Sequence, residues 1–380
     1  MPQNLSDLIT SIHATPHLMT FSFAGAGAEA LAWLHSVGGS SRTILEATDR
    51  YSPGSLTEAT GFVPERFTSV KVARALAAQA RSRAQMLVTD KRPVFGMGLT
   101  ATIATDRKKR GDHRVALAVQ DSLGSLSYEL TLTKGERSRI EEETLVSTLT
   151  VSAVAEACGV FALPELALLP GEQIGKVFEP VAALAQLSNG ERDWLTVLPS
   201  GELLEGPLND VTFLSGSFNP LHAGHRKLAE VAGQMTAETV YFELPFINAD
   251  KAPIDLIEAR QRAVQFLGYA PLVLSRASLF SDKAALFPRA TFVLGADTAA
   301  RLVNVRFYGG ETHALDASLE RVRAEGGSFL VAGRSSKDDF KTLDDIPVPA
   351  AHLDLFREIP KAAFNMDISS SEIRARSGKT

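Results

Sequence analysis

The sequence predicts an α/β protein of two domains, the second of them built on a mainly parallel sheet. With 380 residues, the chain is long enough for two hydrophobic cores. A segment between Pro164 and Asn209 is rich in Pro, Gly and other turn residues. On either side of it, short apolar runs alternate with segments of helical periodicity. We therefore expect a first domain over residues 1–165, a connector over 166–208 and a second domain over 209–380.

The first domain and the connector contain a varied set of predicted elements. A helix at residues 26–35 follows a Gly-rich turn, and the connector contains a candidate hairpin at 194–198 and 203–204. Apolar runs predict strands at 18–23, 94–97 and 115–119, and apolar spacing predicts amphipathic helices at 69–84 and 136–157.

The second domain shows a more regular alternation of strands and helices. Such repeats predict a mainly parallel sheet covered on both faces, with ligands bound beyond the carboxyl ends of the strands. The predicted strands are at residues 211–214, 240–244, 272–274, 291–294 and 328–331, and the predicted helices at 223–233, 255–267, 297–303 and 315–324.

Composition is that of an ordinary globular chain, with 45% hydrophobic and 22% charged residues. The formal net charge of −5, without a long basic tract, argues against nucleic acid as a partner. Cys158 is the single cysteine, which excludes an internal disulfide framework. The N-terminus does not resemble a signal peptide, and no stretch of about 18 apolar residues is present. We therefore expect a cytoplasmic protein that is not embedded in a membrane.

The second domain begins with a strand, a turn and a helix that carries two histidines. The run is Val211-Thr-Phe-Leu-Ser-Gly-Ser-Phe-Asn-Pro-Leu-His-Ala-Gly-His225. His222 and His225 are three residues apart, so they share one face of the first helical turn. The free backbone N–H groups and the helix dipole at that turn favour anions, and imidazole N–H groups would add donors. The segment therefore predicts a binding site for phosphates.

Two other interpretations of these histidines are a metal site and a surface position without a function. A metal site would need further ligands, but no Cys, Glu or third His lies nearby at ligand spacing. Histidines are also often partly exposed surface residues without a function. The surrounding sequence favours the phosphate site, because the same glycine and proline positions recur in a known family.

The segment 216–225 resembles the His-x-Gly-His signature of the nucleotidyltransferase superfamily, in the form typical of nicotinamide mononucleotide adenylyltransferases. The resemblance implies a Rossmann-like domain in which Gly216, Ser217 and Phe218 bind the nucleotide. It also implies that His222 and His225 stabilise charge on the phosphates.

A second segment resembles the other signature of this superfamily, Ile-Ser-Ser-Thr-x-x-Arg. Here it reads Ile368-Ser-Ser-Ser-Glu-Ile-Arg374, with Ser371 in place of threonine. Ser369 and Glu372 form a capping-box pattern, so the serines at 369, 370 and 371 open a short helix whose N–H groups face an anion. Ser369, Ser370 and Ser371 are therefore expected to bind the nucleotide, and Arg374 is expected to supply a permanent cation for phosphate oxygens.

Weaker matches extend the resemblance to the pyridine mononucleotide adenylyltransferases. Gly295 and Asp297 lie in a Gly-x-Asp element that is expected on the adenosine side of the nucleotide. Asn248 and Lys251 resemble a loop on the substrate side, and Arg260 or Arg262 would add positive charge there. Phe307 lies in a segment that resembles the family's aromatic element, either as a stacking residue or as a core residue.

The resemblance implies transfer of AMP from ATP to nicotinamide mononucleotide, with release of pyrophosphate and formation of NAD. Mg²⁺ would arrive with ATP and bridge the phosphates. Two alternatives stay open. The acceptor is another small phosphate, with CTP or ATP as donor, or the chain binds nucleotides for regulation without turnover.

The first domain resembles, over about residues 8–160, the competence-damage-inducible CinA C-terminal domain, whose active members deamidate nicotinamide mononucleotide. Phe23 stands where that family has its catalytic serine, and Leu56 lies near the expected lysine position. Phenylalanine has no nucleophilic atom, so the resemblance implies a catalytically degenerate domain. The Gly-rich turn at 24–27 is available for a phosphate. The alternative is a structural role, with a homo-oligomer formed through this domain.

Overall fold

The computed structural model describes residues 3–106, 110–247, 254–336 and 339–366, which form two compact units. The first unit comprises the described residues of Met1–Ala185, Pro199–Glu202 and Leu256–Tyr269. The second comprises those of Gln186–Leu198, Leu203–Asp255 and Ala270–Thr380. In the described segments, none of the helices combines the length and apolar character needed to cross a bilayer.

Helices and strands follow one another along the whole described chain. The helices are α1 Gln3–His13, α2 Ala28–Ser36, α3 Pro53–Thr60, α4 Val70–Leu87, α5 Arg139–Ala157, α6 Ala182–Asn189, α7 Ala223–Thr236, α8 Leu256–Ala263, α9 Phe280–Leu286, α10 Ala296–Leu302 and α11 Thr312–Ala324. The strands are β1 Leu18–Ala24, β2 Ile44–Asp49, β3 Val94–Thr102, β4 His113–Gln120, β5 Gly124–Leu132, β6 Gly175–Pro180, β7 Trp194–Val197, β8 Leu203–Leu204, β9 Thr212–Ser215, β10 Val240–Pro245, β11 Leu272–Ser275, β12 Thr291–Gly295, β13 Ser328–Ala332, β14 Arg334–Ser336, β15 Asp339–Lys341 and β16 Phe356–Ile359.

The first unit contains a mixed sheet with the strand order β2-β1-β3-β4-β5-β6. β1 pairs in parallel with β2 and β3, and the remaining neighbours are antiparallel. Helix α4 lies close against this sheet because glycines and alanines face it. A Cβ atom at Gly96 would lie 2.2 Å from the carbonyl oxygen of Ala77, and one at Gly98 would lie 2.1 Å from that of Ala73.

The second unit contains an eight-stranded sheet with the order β16-β13-β12-β9-β10-β11-β7-β8. The six strands from β16 to β11 are parallel, and the hairpin β7–β8 adds an antiparallel edge. This confirms the predicted mainly parallel sheet and the predicted hairpin. From β9, the chain adds β10 and then β11 on one side of the sheet. It then returns to the other side of β9 with β12, and adds β13 and β16 beyond it. The topological switch point of the sheet therefore lies between β9 and β12.

The division of the chain differs in two places from the predicted boundaries. The predicted connector contributes β6 to the first sheet and β7 and β8 to the second. The predicted helix 255–267 is α8 followed by the 3₁₀ turn Val264–Phe266, and both belong to the first unit. Edge strands β2 and β6 were absent from the prediction because their half-exposed residues lack a continuous apolar run.

Candidate functional site

The turn between β9 and α7, residues 216–222, is anchored in the core of the second unit by Phe218. This side chain is fully buried, and its ring packs edge-on against Phe242 and His225 at centroid distances of 5.4 and 5.1 Å. A Cβ atom at Gly216 would lie 2.7 Å from the Phe218 ring, so glycine is required there. We expected Phe218 to bind the nucleotide. Its side chain is not available for this contact, because the ring is enclosed by the core.

His222 and His225 lie together at the start of α7. His222 is the N-cap residue with an extended backbone, and His225 lies three residues into the helix. Their rings are stacked with centroids 3.7 Å apart. The backbone N–H of His222 donates to Nδ1 of His225 at 3.3 Å. In the neutral ring, the proton of His225 is therefore on Nε2.

Both histidines are held in the neutral form at physiological pH. Burial lowers the pKa of His222. Burial, followed by the neighbouring His222, lowers the pKa of His225 to about 3. A neutral imidazole still offers one N–H donor, and Nδ1 of His222 has no hydrogen-bond partner among the described residues. The pair therefore offers N–H donors beside a helix N-terminus.

Gly295 and Asp297 lie on the other side of the switch point. Strands β9 and β12 are parallel neighbours, with Leu214 opposite Val293, so the turns that follow them lie at the same edge of the sheet. Gly295 is the N-cap of α10, and Asp297 is exposed in its first turn. The structure thus brings this predicted element to the edge that holds the histidines. Ser217 is also exposed at this edge.

Phe307 lies in the 3₁₀ turn Val305–Tyr308 and is half-buried. The guanidinium of Arg306 lies 4.6 Å from the centroid of its ring. One face of Phe307 therefore already has a cation–π partner. Tyr308 next to it donates from its hydroxyl to the carbonyl oxygen of Leu302 at 2.9 Å, which fixes the turn.

A buried polar cluster, which was not predicted from the sequence, lies at the carboxyl ends of β9, β10 and β11. Lys283 on α9 donates to Oε2 of Glu243 at 2.6 Å and to Oγ of Ser215 at 3.4 Å. Ser275 donates to the other carboxylate oxygen of Glu243. The backbone N–H of Gly216 donates to the Glu243 carbonyl oxygen at 3.0 Å. The cluster therefore fixes the base of the histidine-bearing turn.

Several predicted site residues lie outside the described residues. They are Asn248, Lys251, Ser369, Ser370, Ser371 and Arg374. The structure corrects the expectation for Arg260, which belongs to the first unit and is paired there with Asp121. Arg262 is paired with Glu258 on its own helix.

Within the described part of the chain, no cluster of three or more His, Cys, Asp and Glu side chains is placed to hold a metal ion. Mg²⁺ commonly binds through one or two carboxylates together with substrate phosphates. An ion that arrives with a triphosphate does not require such a cluster.

The C-terminal part of the chain is similar to a known family. Residues 213–376 match the Cytidylyltransferase-like family model. The match begins in β9 and includes both histidines, the switch point and Asp297. The chain therefore contains a cytidylyltransferase-like nucleotidyltransferase domain in its C-terminal part. Among curated proteins, none matches this sequence.

Solved structures of CinA proteins are similar to the N-terminal part of the chain. The competence/damage inducible protein CihA from Agrobacterium tumefaciens is 19% identical, with a TM-score of 0.32. The similarity covers 41% of this chain and 94% of that chain. A CinA superfamily protein from Enterobacter cloacae is 15% identical, with a TM-score of 0.30 and coverage of 40% and 90%.

The backbone N–H groups of the Gly-rich turn in the first unit already donate to a carboxylate of the same chain. Oε1 of Glu143 on α5 accepts the backbone N–H groups of Gly27 and Glu29 at 2.8 and 3.1 Å, and Oγ of Ser147 accepts that of Ala30 at 3.0 Å. The expectation that this turn is available for a phosphate is therefore wrong, because these helix N-terminal donors are used internally.

The positions of the expected amidase residues are filled by packed side chains. Phe23 is buried on β1 and stacks on Phe21 at a centroid distance of 4.8 Å. Leu56 lies in a hydrophobic cluster with Ala24, Val72 and others. Neither side chain carries a nucleophile or a proton donor.

Proposed function

We propose that the nucleotidyltransferase domain transfers the AMP moiety of ATP to nicotinamide mononucleotide and releases pyrophosphate. The observation that carries the proposal is the pair His222 and His225 at the first turn of α7, beside the switch point of the parallel sheet. In open α/β sheets, this crevice is where nucleotides bind. The proposal rests equally on the family match of residues 213–376.

The proposed phosphate site combines three kinds of donor. The first turn of α7 has backbone N–H groups without intrahelical partners, and the helix dipole adds partial positive charge. His225 adds its Nε2–H, and His222 adds a second imidazole. Arg374 and the serines at 369–371 complete the site in this proposal, as the second signature implies.

The reaction requires positioning and charge stabilisation rather than a protein nucleophile. A phosphate oxygen of the mononucleotide attacks the α-phosphorus of ATP, and the bond between that phosphorus and the oxygen bridging to the β-phosphate breaks. Pyrophosphate leaves with the bonding electrons. Donors placed beside the phosphates stabilise the developing negative charge. Mg²⁺ enters as part of the ATP complex and supplies further charge neutralisation.

The main alternative to this proposal is a different nucleotide donor with a different phosphate acceptor. The matching family model is described as cytidylyltransferase-like, which favours CTP as the alternative donor. An acceptor such as phosphocholine or phosphopantetheine would fit the same transfer. A nucleotide-binding protein without turnover is the remaining alternative.

A substrate panel tests the proposal with the full-length chain. ATP or CTP, each with Mg²⁺, is combined in turn with nicotinamide mononucleotide, phosphopantetheine and phosphocholine, and the products are identified by mass spectrometry. NAD and pyrophosphate from ATP and the mononucleotide support the proposal. Product from another pair, or nucleotide binding without any product, rules it out. A preparation of the double variant His222→Ala/His225→Ala controls for contaminating host enzymes.

A further inference from the structure

The first unit contains a cavity of about 340 Å³ that is remote from its Gly-rich turn. The cavity lies where β1 and β3 begin and β4 ends, whereas the Gly-rich turn follows the opposite end of β1. Its walls include His17, Arg81, Phe95 and Leu267, and every lining residue belongs to the first unit. Its volume is within the range of small-molecule sites.

His17 is the most unusual group in the wall of this cavity. His17 is only 3% exposed, yet neither of its ring nitrogens has a hydrogen-bond partner among the described residues. Buried polar groups are rarely left unpaired, because the loss of hydration is then not compensated. Burial lowers the pKa of His17 to about 4, so the ring is neutral and presents one donor and one acceptor.

Two arginines near the cavity, Arg81 and Arg260, share the single carboxylate of Asp121, which leaves an excess of positive charge beside it. Arg260 is fully buried and forms an ion pair with Asp121. The other carboxylate oxygen of Asp121 accepts the backbone N–H groups of Leu123 and Gly124 at 2.8 and 3.1 Å. Arg81 is a second, half-buried cation, and its Nε has no partner in the described part of the chain.

The acidic groups at the surface of the cavity do not cancel this charge. Asp90 pairs with Arg92 at 2.8 Å, and both side chains are about half exposed. Glu202 is exposed as well, so water and salt screen its charge. Val88, Phe95 and Leu267 contribute apolar groups to the wall of the cavity, and the ring of Phe95 lies edge-on to that of His17 at a centroid distance of 6.4 Å.

We propose that this cavity binds a small organic anion, with its carboxylate or phosphate group against Arg81 and His17 and an apolar ring against Phe95 and Leu267. The guanidinium supplies paired donors for anionic oxygens. The inference is independent of the proposed transferase activity, because it concerns only residues of the first unit.

Titration calorimetry of the full-length chain with two probes tests the proposal. Benzoate and phenyl phosphate share the ring and distinguish a carboxylate from a phosphate ligand. We expect at least one of them to bind, and the affinity to fall at least about tenfold in Arg81→Met and in His17→Phe. Arg66→Met, at an exposed arginine of the same unit, is the matched control and is expected to retain wild-type affinity.

Two further variants separate binding in this cavity from binding elsewhere on the chain. Gln85→Trp blocks the cavity from an exposed position, so it tests the site without disturbing a buried group, and it is expected to weaken binding to the same degree. The double variant His222→Ala/His225→Ala removes any binding of the probe at the proposed phosphate site, and binding that is weakened by Gln85→Trp is expected to persist in it. Absence of binding by both probes up to about 10 mM, or wild-type affinity in both Arg81→Met and Gln85→Trp, would overturn the proposal.

Discussion

The imidazole rings of His222 and His225 lie stacked 3.7 Å apart, with Nδ1 of His225 accepting the backbone N–H of His222. This contact fixes both the orientation of the His225 ring and the nitrogen that carries its proton. Burial lowers the pKa of His225, and the repulsion between two charged rings at this distance lowers it further. The pair therefore acts as neutral hydrogen-bond donors in our account, rather than as cations.

The first prediction concerns the buried pair of Glu243 and Lys283, whose side chains are 1% and 5% exposed. In Glu243→Gln, the Lys283 ammonium loses its carboxylate, and we expect the free energy of unfolding to fall by about 3–5 kcal/mol. The double variant Glu243→Gln/Lys283→Met should recover most of this loss. Urea unfolding monitored by circular dichroism measures both changes.

A matched control for this pair is available on the surface of the same unit. Asp210 and Arg289 form an ion pair whose side chains are 60% and 57% exposed. Asp210→Asn is expected to change stability little, because water and salt screen exposed pairs. If Glu243→Gln were as mild as Asp210→Asn, the assigned burial of the Glu243 cluster would be wrong.

The second prediction is a pH dependence of stability that originates in His17. Its pKa is about 4 in the folded chain and 6.5 in the unfolded one. Below pH 6.5, the unfolded state takes up a proton that the folded state does not, so this contribution is fully present above pH 6.5 and is lost as the pH falls towards 4. At pH 5 the loss amounts to about 2 kcal/mol.

The variant His17→Phe lacks this titrating group, so its first unit should lose less stability than wild type between pH 7.5 and pH 5. Urea unfolding is measured at each pH through the labelling of the Cys158 thiol at that same pH, which reports on the first unit specifically. An identical pH dependence in both proteins contradicts the buried, neutral state of His17.

The third prediction concerns the thiol of Cys158. It is 5% exposed, and burial raises its pKa to about 12 from a usual 9.0. Since the thiolate is the reactive form, its population in the folded chain is lower by about three orders of magnitude. We expect negligible reaction with a disulfide reagent under native conditions and one thiol per chain in denaturant. Rapid labelling of the native chain would show that the packing around α5 is wrong.

The sequence was most informative where a motif is local. The strand, the turn and the two histidines of 211–225 are contiguous, so their spacing alone predicted that the histidines share one face at a helix N-terminus. The alternation of elements likewise predicted the parallel sheet. In contrast, the burial of Phe218 depends on Phe242 in the next strand, so the motif did not reveal that the ring lies in the core.

Interactions over long separations could not be predicted in this way. Glu243 and Lys283 meet because β9, β10 and α9 pack together, and they are 40 residues apart. Glu143 accepts the N–H of Gly27 across 116 residues, which is why the Gly-rich turn was wrongly expected to be available for phosphate. Periodicity predicted the helix α8, but not that it belongs to the first unit.

The most direct test of the proposed phosphate site is the turnover number of His225→Ala with saturating ATP, Mg²⁺ and the acceptor found in the substrate panel. His313→Ala, at a histidine whose side chain is 82% exposed, is the matched control. We predict that His225→Ala lowers turnover by at least about 100-fold with its circular dichroism spectrum unchanged, while His313→Ala retains the wild-type rate. An unchanged rate in His225→Ala would contradict the assignment of the α7 N-terminus as the triphosphate site.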